Sequence, residues 1–349
     1  MILVYKIWKL INVQGGAMKR IFFISIIAVM MCALSPLVHA KEDFPIKIAV
    51  EFTDHAVSAY IAKEKGWFEK EGIKPTFFSY VTGMSLASAL GRGDIQAAYI
   101  CLLPAITAYA NAKIPIKIVT GLHKHGYGLA VNPSKVKTVK DLEKLDIRIG
   151  CNKVGGPADA IIHKTIEKYN LDRDKILNKI QRMNPATQIL AIRMGKLDAF
   201  FNCEHWPAMA EDSGFKMLVT SQDIWPNMQG SVLIVKEELI KDHPDIVRKI
   251  VHITKSSIDW IKKNPKEAAL IMSKQLQITG DKNSPSDAPE GVEKLIVTPE
   301  TVLRSMKRIE HSTDIDAAEI QNNIDFALAH GYIGKGFSAK DLLDLRFSR

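Results

Sequence analysis

The 349 residues contain no GxxxxGK[ST], no complete GxGxxG, no HExxH, no GxSxG and no SxxK accompanied by its partner motifs. Those patterns mark nucleoside-triphosphate cleavage, dinucleotide binding, zinc proteolysis and serine acyl transfer, so none of these chemistries is suggested. Cysteine is scarce, with four residues and no CxxC pair. Three of them, Cys101, Cys151 and Cys203, fall in the main body of the chain, and an odd count excludes a complete disulfide framework there. The apolar run Ile21 to Leu34 is too short to read as a membrane span. No basic block carries interleaved aromatics, which excludes a nucleic-acid surface.

The N-terminal run has another meaning. Met18, Lys19 and Arg20 precede it, and Ser35, Pro36 and the small-residue ending Val38-His39-Ala40 follow it. This is the pattern of a secretory signal peptide over residues 1–40, with residues 1–17 read as a start placed too early. Without residues 1–40 the chain keeps 43 basic and 38 acidic residues, so its net charge falls from +9 to +5. The remaining lysines alternate with acids, as in KEKGWFEKEG, and read as solvated surface. The 309 residues left suffice for two lobes.

From Ile46 the hydrophobic period alternates between 2 and 3.6, giving strand KIAVEF, a helix from His55, strand Ile73–Ser79, helix Met84–Leu90, strand Ala97–Leu102, helix Pro104–Ala112 and strand Ile116–Thr120. The same scheme returns between Ile147 and Thr220. HKHGYG and SQDIWPNMQG read as the two crossings between lobes, and LGRGDIQAA aligns without gaps on IRMGKLDAF as an internal echo. The pattern predicts an α/β fold of two lobes: residues 44–122 for the first, 123–225 for the second, and 226–349 for the return and the C-terminal helices. Each lobe is expected to hold a mostly parallel sheet flanked by helices. Thr279–Gly291 reads as a mobile loop, and Asp316 with Glu319 as a capping box.

Ligands of open parallel sheets bind beyond the carboxyl ends of the strands. Those ends are Thr53 to His55, Tyr80 to Met84, Cys101 to Pro104, Gly121 to His123, Asn152 to Pro157 and Asn202 to Trp206. Pro104, Pro157 and Pro207 read as first helical residues, which leaves nearby N–H groups free. NKVGGP resembles an anion cradle at a helix N-terminus, although a plain turn has the same composition. His55 alone reads as a surface or helix-capping histidine ahead of a ligand contact, and Trp206 and Trp225 as core or hinge packing ahead of a stacking platform. In a cleft, Asp54 and Glu204 would favour a ligand bearing N–H donors over a bare anion. Cys101, Cys151 and Cys203 with His55, His123 or His205 leave a thiolate metal site open beside the ordinary reading of buried thiols.

KIAVEFTDHAVSAYIAKEKGWFEKEGIKPTFF, LGRGDIQAAYI, TVKDLEKLDIRIG, MGKLDAFFNCEHWP and TPETVLRSMKRI together resemble the periplasmic solute-binding proteins of ABC importers for nitrate, sulfonate and taurine, with their relatives that bind thiamine-pyrimidine precursors. The resemblance implies a periplasmic, non-enzymatic, monomeric protein without a cofactor or resident metal. It would close on a small polar solute and deliver it to a membrane permease and its ATPase. It further implies ligand contacts from Asp54, His55, Tyr80, Thr82, Gly83, Met84, Cys101, Leu102, His123, Val154, Gly155, Gly156, Asn202, Glu204 and Trp225. An enzymatic branch, the thiamine-pyrimidine synthases of yeasts, carries a CCCFC run absent here. A metal carrier on the same fold is the other alternative.

Overall fold

In the computed structural model, residues 43–348 are described, apart from Asp94 and residues 284–294. The signal-peptide expectation lies outside the described residues, as does most of the expected loop Thr279–Gly291. Thr279–Asn283, however, continue the helix Pro265–Asn283. Among the described residues no helix is long and apolar enough to cross a membrane.

The described residues hold eleven strands, β1 (Phe44–Glu51), β2 (Ile73–Tyr80), β3 (Ala97–Cys101), β4 (Ile116–His125), β5 (Tyr127–Val131), β6 (Ile149–Cys151), β7 (Ile180–Arg182), β8 (Ala199–Cys203), β9 (Lys216–Thr220), β10 (Gln229–Lys236) and β11 (Ile309–His311). The helices that position the site are α1 (Val57–Glu64), α2 (Gly83–Leu90), α3 (Leu102–Ala110), α4 (Pro157–Lys168), α5 (Trp206–Glu211), α6 (Pro244–Lys263), α7 (Pro299–Met306) and α8 (Ala317–Ala329). The first sheet runs β11-β4-β10-β3-β1-β2 and the second β7-β6-β8-β5-β9. The two-lobed α/β architecture is the expected one, with a difference inside each sheet. β1 pairs in parallel with β2 and β3, and β6 with β7 and β8, but β10 is antiparallel to β3 and β4, and β5 to β8 and β9. β5 and β10 are the strands that follow the two crossings, and a strand entering a sheet from the far lobe arrives reversed; β11, after α7, is also antiparallel to its neighbour β4.

β1 lies between β2 and β3, which explains why KIAVE is buried on both faces from Ile48 onward. The helix after it is broken in two. A 3-10 turn over Asp54–Ala56 precedes α1, and Gly66 at φ +63° ends it before Trp67–Lys70. β4 extends five residues past Thr120, so the chain crosses at Gly126. Pro157 stands first in α4, whereas Pro207 is second in α5 and Pro104 third in α3. All three still occupy first turns, where the missing N–H has no intrahelical acceptor. The equivalent glycines of the internal echo, Gly93 and Gly195, both hold positive φ. Asp316 caps α8 by accepting the N–H of Ala318, while Glu319 turns to Asn322 and Asn323, so the expected capping box does not form.

Ile246, Val247, Ile250, Val251, Thr254, Ile258 and Ile261 form the buried stripe of α6, as their spacing predicts. α7 is capped by Thr298, whose side chain accepts the N–H of Thr301. This helix places a row of polar side chains against the second lobe.

Candidate functional site

The strand ends converge on a cleft lined by Glu51, Thr53, Val81 to Met84 and Cys101 from the first sheet's side and by Tyr127, Asn152, Lys153, Gly156 to Ala158 and Cys203 from the second's. The enclosed cavity is about 30 Å³, room for one or two waters. The cleft is therefore nearly closed.

Its floor is built at the end of β1. Glu51 is fully buried, and its Oε1 accepts the backbone N–H of Cys101 at 2.7 Å. Its Oε2 accepts the Cys101 thiol at 2.9 Å. Burial raises the Glu51 carboxyl to about 7 despite both bonds. The Cys101 sulfur also receives the Tyr127 hydroxyl at 3.0 Å, and burial pushes both groups up. Gly83 is packed so closely that a Cβ there would stand 2.3 Å from Glu51 Oε1 and 2.7 Å from Pro104 Cγ. Glycine is required at this position by approach rather than by its dihedral angles.

Behind the floor, Thr53 caps the turn by accepting the His55 N–H at 3.2 Å. His55 donates from Nε2 to the carbonyl of Gly126 at 2.8 Å, which places the lone pair on Nδ1, 3.6 Å from the Cys101 sulfur. Burial lowers its pKa to about 3. The His55 ring meets His123 at 4.3 Å and Tyr127 at 4.9 Å, both edge-on. His123 is wholly buried and is likewise driven below the ordinary histidine value by burial.

Thr82, Gly83, Met84, Cys101 and Gly156 thus lie on the cavity, as the sequence implies. His55 and His123 sit one layer deeper. Several other expected contacts lie elsewhere, for identifiable reasons. Asp54 turns away to bond the Ser305 hydroxyl, and burial, assisted by Glu204, raises its pKa. Glu204 accepts the N–H of Ala208 at 3.2 Å and pairs with Arg308 at 3.0 Å, so its carboxylate is spent on the start of α5 and on an ion pair. Burial still raises it to about 7. Asn202 joins Asn152 and Gln188 in an amide cluster. Leu102 is core, and Tyr80 packs half-buried against the same core. Val154 is 62% exposed. Trp225 packs on Phe326 at 5.3 Å, away from the cavity.

The glycine loop is also partly occupied. The Gly155 N–H donates to buried Asp159 at 3.1 Å, and the Gly156 N–H to Lys153 at 3.4 Å. Asp159 in turn holds Arg182 at 2.6 Å and the Tyr332 hydroxyl at 2.6 Å. What faces the cavity is the first turn of α4 at Ala158, with Lys153 beside it.

Among the residues missed, Glu51 had a readable signal: a lone acid inside an apolar strand, at its carboxyl end. Tyr127, which opens β5 just after the crossing, was also missed, whereas Asn152, Lys153 and Cys203 fell within the strand ends read from the sequence without being assigned as contacts. Arg308 had none, because nothing local links it to Glu204, 104 residues away.

α7 and the turn after it join the two lobes. Arg304 reaches Glu211 at 3.0 Å and the carbonyl of Ala208 at 2.7 Å, and it also pairs with Asp212. Arg308 grips Glu204 and both oxygens of Glu211, the latter at 2.8 Å each. Ser305 meanwhile holds Asp54 of the first lobe.

Two mixed α/β lobes, joined by crossing strands and meeting in a cleft at their strand ends, define the periplasmic-binding-protein fold. The chain belongs to the NMT1-like family, whose model matches residues 39–275. A protein of Bacillus subtilis named for binding aliphatic sulfonates is 26% identical over 298 residues, covering 82% of each chain. The periplasmic nitrate-binding protein NrtA of Synechocystis PCC 6803 superposes with a TM-score of 0.70 at 16% identity, covering 88% of this chain and 87% of that one. The alkanesulfonate-binding protein SsuA of Xanthomonas axonopodis pv. citri, solved with MOPS, gives 0.69 at 15% identity, covering 87% and 99%.

Proposed function

We propose that this protein is the extracytoplasmic solute-binding component of an ABC importer, capturing a small organic anion of the sulfonate type between its lobes and presenting it to a membrane permease. One observation carries the reading: the N-terminal turns of α2 and α4 both border a nearly closed cavity that has Lys153 on its rim and buried Glu51 at its floor. Helix N-termini and an ammonium group attract acceptor oxygens. A buried carboxyl opposite them disfavours a second full negative charge. The cavity therefore suits a solute with an anionic head and an uncharged or N–H-bearing tail better than bare nitrate. The names of the sulfonate-binding relative and neighbour agree with that class.

The contacts assigned to the solute are Thr82, Gly83, Met84, Lys153, Gly156 and Ala158, with Asn152 and Tyr127 at the sides. The lobes are taken as residues 44–122 with 226–349, and 123–225. Export by the N-terminal segment and docking on a permease belong to the same proposal, as does function as a monomer without catalysis. A pyrimidine-type solute is the second reading, favoured by Glu51 as an acceptor for ring N–H groups. Calorimetry with ethanesulfonate, taurine, nitrate and an aminopyrimidine separates these outcomes. Saturable one-to-one binding of a sulfonate supports the reading, and binding of nitrate alone overturns it.

A further inference from the structure

Glu51, His55 and Cys101 place one carboxylate oxygen, one imidazole nitrogen and one sulfur within 4.8 Å of one another, all three buried. They are the only such group of three among the described residues. Solute capture by helix N-termini makes no use of this combination.

The separations suit a tetrahedral ion. Zinc bonds of about 2.3 Å to sulfur and 2.0–2.1 Å to nitrogen set those two ligands about 3.6 Å apart. The Cys101 sulfur and His55 Nδ1 are 3.6 Å apart. The Glu51 oxygen, at 2.9 Å from the sulfur, is at hydrogen-bond distance and would move outward by a fraction of an ångström when the thiol proton leaves. The outer groups are also those a metal site needs. His55 donates Nε2–H to the Gly126 carbonyl, which fixes the tautomer with Nδ1 free. The Cys101 N–H holds Glu51 Oε1 and leaves Oε2 facing the sulfur. Among the described residues no lysine or arginine pairs with Glu51, so its burial lacks the cation that ordinarily offsets it.

We propose that Glu51, His55 and Cys101 form a three-ligand zinc site at the floor of the cleft, with the fourth position open to the cavity. Borderline donors of this kind suit Zn²⁺ better than the hard ions Mg²⁺ and Ca²⁺. On binding, the S–H bond of Cys101 breaks as the Zn–S bond forms, and the proton leaves through the cavity, followed by the Glu51 proton where that carboxyl holds one. Thiolate and carboxylate together neutralise the ion, and no electron is transferred. Glu51 and Cys101 line the cavity, which provides the entry path. The site goes beyond solute capture and does not depend on it.

The test uses the tag-free mature protein after chelator treatment, with Co²⁺ and Zn²⁺ as probes and no organic solute present. Wild type is expected to take up one ion per chain, to show a near-ultraviolet thiolate-to-cobalt charge-transfer band that Zn²⁺ abolishes, and to release at least one proton per zinc. Cys101→Ser should lose the band, and Glu51→Gln and His55→Gln should bind zinc about 100-fold more weakly or worse. Cys151→Ser, whose thiol is buried in β6 away from the cavity, should keep the band. Wild-type protein without a cobalt–thiolate band overturns the proposal whatever the variants do. A band that survives Cys101→Ser overturns it equally.

Discussion

The guanidinium of Arg308 lies 3.0 Å from the carboxylate of Glu204, and through that contact the segment leading into β11 of the first sheet grips the strand end of β8 in the second. Glu204 is wholly buried and Arg308 largely so. The pair matters less for its net energy than for what remains when one member is removed.

Arg308→Met should therefore destabilise the protein by about 3 kcal/mol, because a buried carboxyl loses its cation. Arg308→Met combined with Glu204→Gln should recover a large part of that loss. Urea denaturation of Arg308→Met, Glu204→Gln and the double variant measures it. Additive losses would show that the two groups do not act as a pair.

Gly83→Ala introduces a methyl 2.3 Å from Glu51 Oε1. The strand end and α2 must separate to admit it, at a cost of about 1–3 kcal/mol. Solute affinity should fall with stability, since α2 borders the cavity. An alanine variant as stable as wild type would contradict the packing described.

His205 is buried with neither ring nitrogen hydrogen-bonded, and burial lowers its pKa to about 3. A histidine that stays neutral when folded and charges when unfolded makes stability fall with pH below about 6.5. Between pH 8 and pH 5 this residue should cost wild type about 2 kcal/mol that His205→Phe does not lose. Guanidinium titrations at the two pH values provide the comparison, and equal pH dependence in both proteins would refute it.

Glu51 has the opposite sign. Its carboxyl, raised to about 7 by burial, contributes stability that is present below its unfolded value near 4.5 and lost as pH rises through 7. In metal-free protein, Glu51→Gln should gain on wild type by about 3 kcal/mol between pH 5 and pH 8. A gain in the other direction would place the carboxylate in a solvated or ion-paired setting.

Trp225→Ala should lower stability by about 3 kcal/mol through loss of packing on Phe326 while leaving solute affinity unchanged. Calorimetry on the folded variant decides this. A tenfold loss of affinity would return Trp225 to the cleft.

The fold was legible because it rests on periodicity. The stripe of α6, the switch from extended to helical spacing after β1 and the glycines Gly93 and Gly195 are local features. What depends on distant pairing was not legible. Sheet direction at β5 and β10 follows from the crossings, which composition marks without giving their sense. Within the candidate site, the strand ends picked out Thr82 to Met84 and Cys101, and the structure places these on the cavity. The acids went the other way: Asp54 and Glu204 read as cleft carboxylates but are engaged by Ser305 and Arg308, both from the C-terminal segment. Glu51, read as a strand residue, is the one that lines the cavity. The NKVGGP loop kept its place at the mouth, but its glycine amides serve Asp159 and Lys153.

The most direct test of solute capture is isothermal calorimetry of purified protein with ethanesulfonate and nitrate, paired with denaturation at saturating solute. The expected result is a single sulfonate site that adds about 2.7 kcal/mol of stability at a hundredfold excess over Kd. Nitrate should bind much more weakly. Tight nitrate binding with no response to any sulfonate would contradict the cleft chemistry described.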